Sequence, residues 1–219
     1  MSAENPDFIR STSAAYDIIA DDYAEQCADW AGIHTFDRAL ISGFAELVKE
    51  RGREPVADVG SGPGAVTARL HALGVPVFGI DVSSRMVAMA RRNHPELRFH
   101  VGSMTSLDLP DGTLGGIAAL YSVIHVPDEQ LPGVFAEFRR VLAPGGYLLL
   151  AFQYDEETDH LHLDERFGHA ISLDYYWRPP EKVVELLTGA GLQLHSRTVR
   201  EPQGQERYRK AYLLARKDG

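Results

Sequence analysis

The order of apolar runs predicts an α/β domain, with a mostly parallel sheet covered by helices on both faces and closed by an antiparallel pair of strands. Three observations carry this. From Pro55 to Phe152 short apolar runs alternate with amphipathic helical stretches, the pattern of parallel strands joined by helical crossovers. Two strand-like runs near the carboxyl end are joined by too few residues for a crossover, so they pair antiparallel. A glycine-rich turn follows the first strand, where open α/β sheets gather their ligands.

Each element follows from its spacing. Tyr16, Ile19, Ala20, Tyr23, Ala24 and Cys27 recur at helical intervals and predict a helix from about Ser13 to Cys27. Phe36, Leu40, Phe44 and Val48 predict a second from about His34 to Glu50. PVADV is the first strand and Ala65 to Ala72 the next helix; VPVFGI is the second strand, followed by a helix from Ser84 to Asn93. LRFHV and GGIAALYSV are the third and fourth strands. After Pro127, a helix carries Leu131, Val134, Phe135, Phe138, Val141 and Leu142 on one face. GYLLLAF is the fifth strand, and Pro179 to Ala190 a helix with proline early in its first turn. LQLHSRTV and RYRKAYLLA, linked by REPQGQE, form the terminal pair. Gln153 to Arg178 reads as a long irregular segment, which inside a compact domain usually has a function.

With 219 residues, 44% of them hydrophobic, the chain suits one compact domain that buries roughly 70% of its unfolded surface without disulfide or metal support. The single cysteine, Cys27, is expected to be a small core residue in a reduced, cytoplasmic setting. The amino-terminal stretch has no basic segment followed by an apolar run, so no secretory signal is expected. The formal net charge of −9 repels nucleic acid and anionic membranes, which favours a small, neutral or cationic partner. Nothing in the sequence fixes the oligomeric state.

The first strand runs into Asp58, Val59, Gly60, Ser61, Gly62, Pro63 and Gly64. Glycines there permit a tight turn and let a ligand approach bare backbone. Asp81 ends the second strand 21 residues after Gly60, the spacing that suits a carboxylate gripping the two hydroxyls of a ribose. The same geometry serves dinucleotides, but the spacing here is G-x-G-x-G and Ala65 follows, which argues against NAD.

ADVGSGPG, FGIDVSSRMVAMAR and RVLAPGGYLLLAF together resemble the class I S-adenosylmethionine-dependent methyltransferases over nearly the whole chain. The resemblance implies a Rossmann-like seven-stranded sheet in the order 3-2-1-4-5-7-6, S-adenosylmethionine as cofactor and S-adenosylhomocysteine as product. It implies that Asp58, Gly60, Ser61, Gly62 and Gly64 form the loop against the methionyl part and that Asp81 binds the ribose. Val82 and Met86 flank the adenine, with Ser103 and Met104 at its other edge and Tyr121 as a pocket wall. Tyr16 and Tyr23, two turns apart on one helix face, belong to a helix that closes over the cofactor, and one of them meets its carboxylate. Two positions depart from the family pattern: Ser103 stands where many relatives carry an acid, and Leu114-Gly115-Gly116 where many begin strand four with Asp.

The expected organisation is one methyltransferase domain over 1–219. Residues 1–52 cover the cofactor, 53–152 bind it, 153–178 cap the acceptor and 179–219 form the last helix and hairpin. The acceptor is a small molecule methylated on oxygen, nitrogen or carbon. His125, just past strand four, is the candidate base, or else a positioning residue. Asp29 and Trp30 are weaker candidates to line the acceptor pocket, and Tyr175, Tyr176 and Trp177 continue the cap. His160, His162 and Asp164, with His169 nearby, alternate as metal ligands might, but equally as the wet side of an edge strand, and no metal is expected. The rival readings are a cofactor-binding protein of this fold without methyl transfer, and a nicotinamide-dependent oxidoreductase.

Overall fold

The computed structural model describes residues 7–28, 35–204 and 206–219, the side chains of Cys27 and Ala28 excepted. The expectations placed on Cys27, Asp29 and Trp30 fall outside these. Helix α1 (Asp7–Ala28) and helix α2 (Thr35–Arg51) precede β1 (Val56–Val59), α3 (Ala65–Ala72), β2 (Val77–Asp81), α4 (Ser84–Asn93), β3 (Phe99–Val101) and β4 (Leu114–Leu120). A 3₁₀ turn, Val123–His125, leads to α5 (Leu131–Val141) and β5 (Leu142–Tyr154). Then come β6 (His160–Arg166), β7 (His169–Tyr176), α6 (Pro180–Gly189), β8 (Leu192–Arg200) and β9 (Arg209–Lys217).

The main sheet has seven strands in the order β3-β2-β1-β4-β5-β9-β8, which is 3-2-1-4-5-7-6 once the separate β6–β7 pair is set aside. Strands β1 to β5 run parallel, while β9 pairs antiparallel with both β5 and β8. The α5 stripe is fully buried from Leu131 to Leu142 against β4 and β5. Across the sheet, α2 buries Ile41, Phe44, Ala45 and Val48 but leaves Phe36 largely exposed, so its inner stripe begins at Asp37 rather than Phe36. Gly116 explains the departure at the start of β4: a Cβ there would lie 2.9 Å from both Phe44 and Val48. An Asp at that position is incompatible with the way α2 packs here.

Three sequence expectations need correction. Helix α1 begins at Asp7, a turn and a half before Ser13. Strand β4 ends at Leu120, because Tyr121 turns into the left-handed region with φ 55°. The segment 153–178 is not irregular: β5 continues to Tyr154, and β6 and β7 form a two-stranded antiparallel hairpin. Its connection is the two-residue loop Phe167-Gly168, with φ of 55° and 79°. Positive φ at both central residues is what a type I′ turn requires, and it is normally supplied by Asn-Gly or Asp-Gly. Phe167 hid the turn.

Candidate active site

Three strand ends build the floor of the site. After Val59 the chain turns through Gly60 (φ 79°), Gly62 (φ 50°) and Gly64 (φ 96°) into α3. The Gly60 and Ser61 amides donate to Ile80 O at 2.8 and 3.0 Å, which ties the loop to β2. Gly60 has no room for a side chain, since its Cβ would lie 2.2 Å from Ser122 Cβ. Ser122 in turn donates its hydroxyl to Val59 O at 2.8 Å, locking the end of β4 against β1.

Asp81 sits at the end of β2, 9% exposed. Its carboxylate accepts N–H from Gly62 at 2.8 Å and from Ser83 at 2.9 Å, one on each oxygen. Burial raises its pKa, and those two amides oppose the rise. Fixed in this way, both oxygens keep lone pairs for a diol.

Helix α1 roofs the cavity and is fastened on two sides. Toward α4, Asp17 accepts from Ser83 Oγ at 2.6 Å and Arg85 N at 3.0 Å, and Ser13 donates to Val82 O at 2.9 Å. Toward β7, Ser11 donates to Ser172 O at 2.7 Å, and His169 Nε2 lies 3.0 Å from Asp22. The cavity beneath, with its open mouth, spans about 720 Å³ of space free of protein atoms.

Of the residues singled out in the sequence, Tyr16, Tyr23, Gly60, Gly62, Asp81, Val82, Met86, Ser103, Met104, Tyr121 and His125 all line this cavity. Asp58, Ser61 and Gly64 do not. Asp58 points away and accepts the Thr67 hydroxyl at 2.6 Å, and burial pushes its carboxyl up to about 7. Ser61 Oγ is buried without a hydrogen-bond partner. Gly64 admits His94 and Phe99, each within 2.9 Å of where its Cβ would stand. Phe8, Ile9 and Thr12 also line the cavity; they lie on the turns of α1 that the sequence periodicity missed.

His125 is 6% exposed, with both ring nitrogens engaged. Nδ1 lies 2.8 Å from the Asp174 backbone carbonyl and Nε2 lies 2.9 Å from Tyr16 Oη. Burial, reinforced by nearby Arg166, brings the imidazole down to about 4. Tyr175 packs on it at 4.7 Å between ring centroids. Its loop is held by the buried Arg178 guanidinium, which donates to the Val123 and Val126 carbonyls and to Asp128. The hairpin, through Asp174, and the segment that follows it, through Arg178, thus fix His125 from two places. Sequence reasoning found the histidine but not these supports, because a backbone carbonyl leaves no compositional signal.

Tyr121 ends β4 in a left-handed conformation costing roughly 1–2 kcal/mol. Its amide donates to Ala151 O at 2.6 Å and its hydroxyl lies 3.1 Å from Tyr212 Oη, which donates onward to buried Asp37. On the outer face of the hairpin His160 and His162 both meet Asp174 Oδ1, at 2.8 and 2.9 Å, rather than converging with Asp164. Among the described residues no group of three or more His, Cys, Asp or Glu is arranged to hold a metal ion. Trp177 stacks on Tyr208 at 4.7 Å and joins Tyr175 in the core, so two of the three cap aromatics are packing residues.

The donor set fits S-adenosylmethionine on one direct observation. Gly62 lines the cavity, yet a Cβ built on it would meet nothing within 4 Å. Its bare backbone therefore faces open space beside the Asp81 carboxylate, a cradle that a side chain would fill. A cavity at the carboxyl ends of β1, β2 and β4 is the ligand crevice of an open, nucleotide-binding α/β sheet.

Comparisons narrow that class. A family profile described as a methyltransferase domain matches residues 56–146. A demethylmenaquinone methyltransferase of Chlorobaculum parvum is 33% identical over 117 residues, 52% of this chain and 48% of its own length. The chain thus spans about half the length of the curated relatives it matches. The complex of DhpI with S-adenosylhomocysteine superposes with a TM-score of 0.74 at 22% identity, covering 96% of this chain and 97% of that one. Magnesium protoporphyrin IX methyltransferase from Synechocystis with bound S-adenosylmethionine gives 0.71 at 17% identity, covering 99% and 100%. Residues 56–146 thus match a methyltransferase domain, and over nearly its whole length the chain shares the fold of these S-adenosylmethionine- and S-adenosylhomocysteine-bound proteins. Among the described residues no helix is long and apolar enough to cross a membrane.

Proposed function

We propose that the protein transfers the methyl group of S-adenosylmethionine to oxygen, nitrogen or carbon of a small-molecule acceptor. The observation that carries this is the pairing of the Gly62–Asp81 cradle with a roofed, largely apolar cavity that ends at Tyr16 and His125. Asp81 holds the ribose; Val82, Met86, Ser103 and Met104 hold the adenine; Gly60, Gly62 and Tyr121 lie along the methionyl part. Bound there, the cofactor supplies an electrophilic methyl group. What the chain supplies is alignment and exclusion of water, from which much of the rate of an in-line displacement derives. The hairpin of β6 and β7 selects the acceptor.

His125 acts in this reading by positioning Tyr16. An imidazole held down to about 4 would have to be protonated at an uphill cost of about 4 kcal/mol near pH 7. Its Nε2 is also already taken by the tyrosine. An acceptor that is already ionised, or that loses its proton late, suits such a site. The test is calorimetry with S-adenosylhomocysteine, followed by a metabolite screen with methyl-labelled cofactor and mass spectrometry of the labelled product. Tight cofactor binding with no labelled product from any nucleophile class would replace this reading with that of a binding protein.

A further inference from the structure

We infer that Tyr16 faces the cavity as a hydrogen-bond acceptor only, so that the ligand atom opposite it carries an N–H or O–H and is not a carboxylate oxygen. The inference rests on the cofactor reading above and deepens it by assigning the chemistry that one wall of the site recognises.

The argument is a count of protons along a chain. The Asp174 backbone carbonyl has only lone pairs, so His125 Nδ1, 2.8 Å away, must hold the hydrogen between them. A neutral imidazole has one such hydrogen, which leaves Nε2 as a lone pair. Burial keeps the ring neutral through the physiological range. Tyr16 Oη lies 2.9 Å from Nε2 and must therefore be the donor in that bond. A phenol has one hydrogen, and here it is committed. The phenol also stays protonated, since burial first and then neighbouring Tyr175 and Tyr23 raise its pKa well above the ordinary range.

Ring packing fixes the arrangement. Tyr16 meets Tyr23 edge-on at 5.4 Å and His125 edge-on at 5.3 Å. With the ring held there, turning the hydroxyl hydrogen toward another partner would leave Nε2 without a donor in a buried site. Tyr175 Oη, which accepts from Arg166 at 2.6 Å, also hydrogen-bonds Tyr16 and with its own hydrogen takes one of the two lone pairs. What remains for a ligand is the other lone pair, which repels a carboxylate and accepts an ammonium, amine or hydroxyl. The family expectation that one tyrosine of this helix meets the cofactor carboxylate does not fit Tyr16. The donor has two sources, the α-ammonium of the cofactor or the nucleophile of the acceptor.

The polarity is read directly by long-range ¹H–¹⁵N correlation of the histidine rings in labelled protein, with His125→Gln assigning the resonances. The expected result is a neutral ring protonated on Nδ1 from about pH 5.5 to pH 8; an Nε2–H tautomer or an imidazolium in that range would overturn the inference. Calorimetry of wild type and Tyr16→Phe then separates the sources. Three probes serve: S-adenosylhomocysteine, its decarboxylated analogue (ammonium kept) and 5′-methylthioadenosine (neither group). If the ammonium is read, Tyr16→Phe weakens the first two by about five- to tenfold and spares the third. If the acceptor is read, all three are unchanged and turnover of methyl-labelled cofactor falls at least about tenfold. A loss confined to S-adenosylhomocysteine would show that Tyr16 donates to the carboxylate and sink the inference, as would no change in either binding or turnover. Wild type failing to bind any probe would sink the cofactor reading instead, while the tautomer measurement would still stand.

Discussion

Asp58→Asn should change how stability depends on pH. Asp58 is 2% exposed, accepts one hydroxyl hydrogen bond from Thr67, and has its carboxyl pushed up to about 7 by burial, with Asp81 adding to the rise. An unfolded Asp titrates near 3.9. Between these values the folded chain holds a proton that the unfolded chain has released. The stabilisation is complete below about pH 4 and lost as pH rises through about 7. Three pK units correspond to on the order of 4 kcal/mol, an upper bound for a group that can relax. His125 runs the other way: its folded value of about 4 lies below the ordinary 6.5, so its contribution is present above 6.5 and lost as pH falls through 4. The two slopes oppose each other between about pH 4 and pH 6.5, and buried Asp81, whose pKa is also raised, adds to the downward one. Asparagine keeps an oxygen for the Thr67 hydroxyl and removes the titration. The variant should therefore gain stability relative to wild type as pH rises through that window and exceed it above about pH 7. Urea denaturation at several pH values, with unchanged m, measures this. A wild-type-minus-variant difference that does not vary with pH would refute the reasoning and show that Asp58 ionises normally.

Asp81→Ala should weaken S-adenosylhomocysteine by about 1.5–3 kcal/mol for each charge-assisted bond lost; unchanged affinity in a folded variant would remove the ribose assignment. Gly60→Ala must place a Cβ 2.2 Å from Ser122 Cβ at a φ of 79°, so a stability loss of about 2–4 kcal/mol is expected in chemical denaturation. Gly62→Ala meets no protein atom within 4 Å and should cost only about 1 kcal/mol in stability while impairing cofactor binding more than Gly60→Ala does. Equal effects of the two on binding would argue against the cradle. His125→Gln retains a donor and an acceptor for Asp174 O and Tyr16 Oη, so turnover should stay within about tenfold with the pH profile kept; a 10²–10⁴-fold loss together with a lost limb would make His125 the base after all.

The floor of the site was legible because its determinants lie close together in sequence. The loop from Asp58 to Gly64 and the acid at 81 are separated by one helix, and each carries a residue type with a specific conformational or charge requirement. The α5 stripe was legible for a similar reason, with every one of its apolar positions buried. Where local signals conflicted with packing they misled. Phe36 fits a helical stripe by spacing but lies outside it, because Asp37 turns inward to take the Tyr212 hydroxyl. The start of α1 was set six residues late because the polar run from Arg10 to Ser13 hides a face that becomes apolar only through Phe8 and Ile9.

The roof was illegible because its contacts are long-range and use backbone atoms. Tyr16 and His125 are 109 positions apart, and His125 and the carbonyl of Asp174 are 49 apart. Neither pairing has a pattern that one chain can display. The hairpin that supplies Asp174 was hidden in turn by Phe167, a residue that type I′ turns disfavour. Arg166 lies over the Phe167 ring at 4.9 Å, over the Tyr23 ring at 5.4 Å, and donates to Tyr175 Oη at 2.6 Å. One guanidinium thus joins the strained turn, the roof helix and the residue packed on His125. A backbone cost of roughly 1–2 kcal/mol is tolerated at Phe167 where the surrounding contacts determine it, and such strain tends to cluster near functional sites. Phe167 belongs to the same structure that orients the histidine, which is why the irregularity that defeated sequence reading lies beside the site.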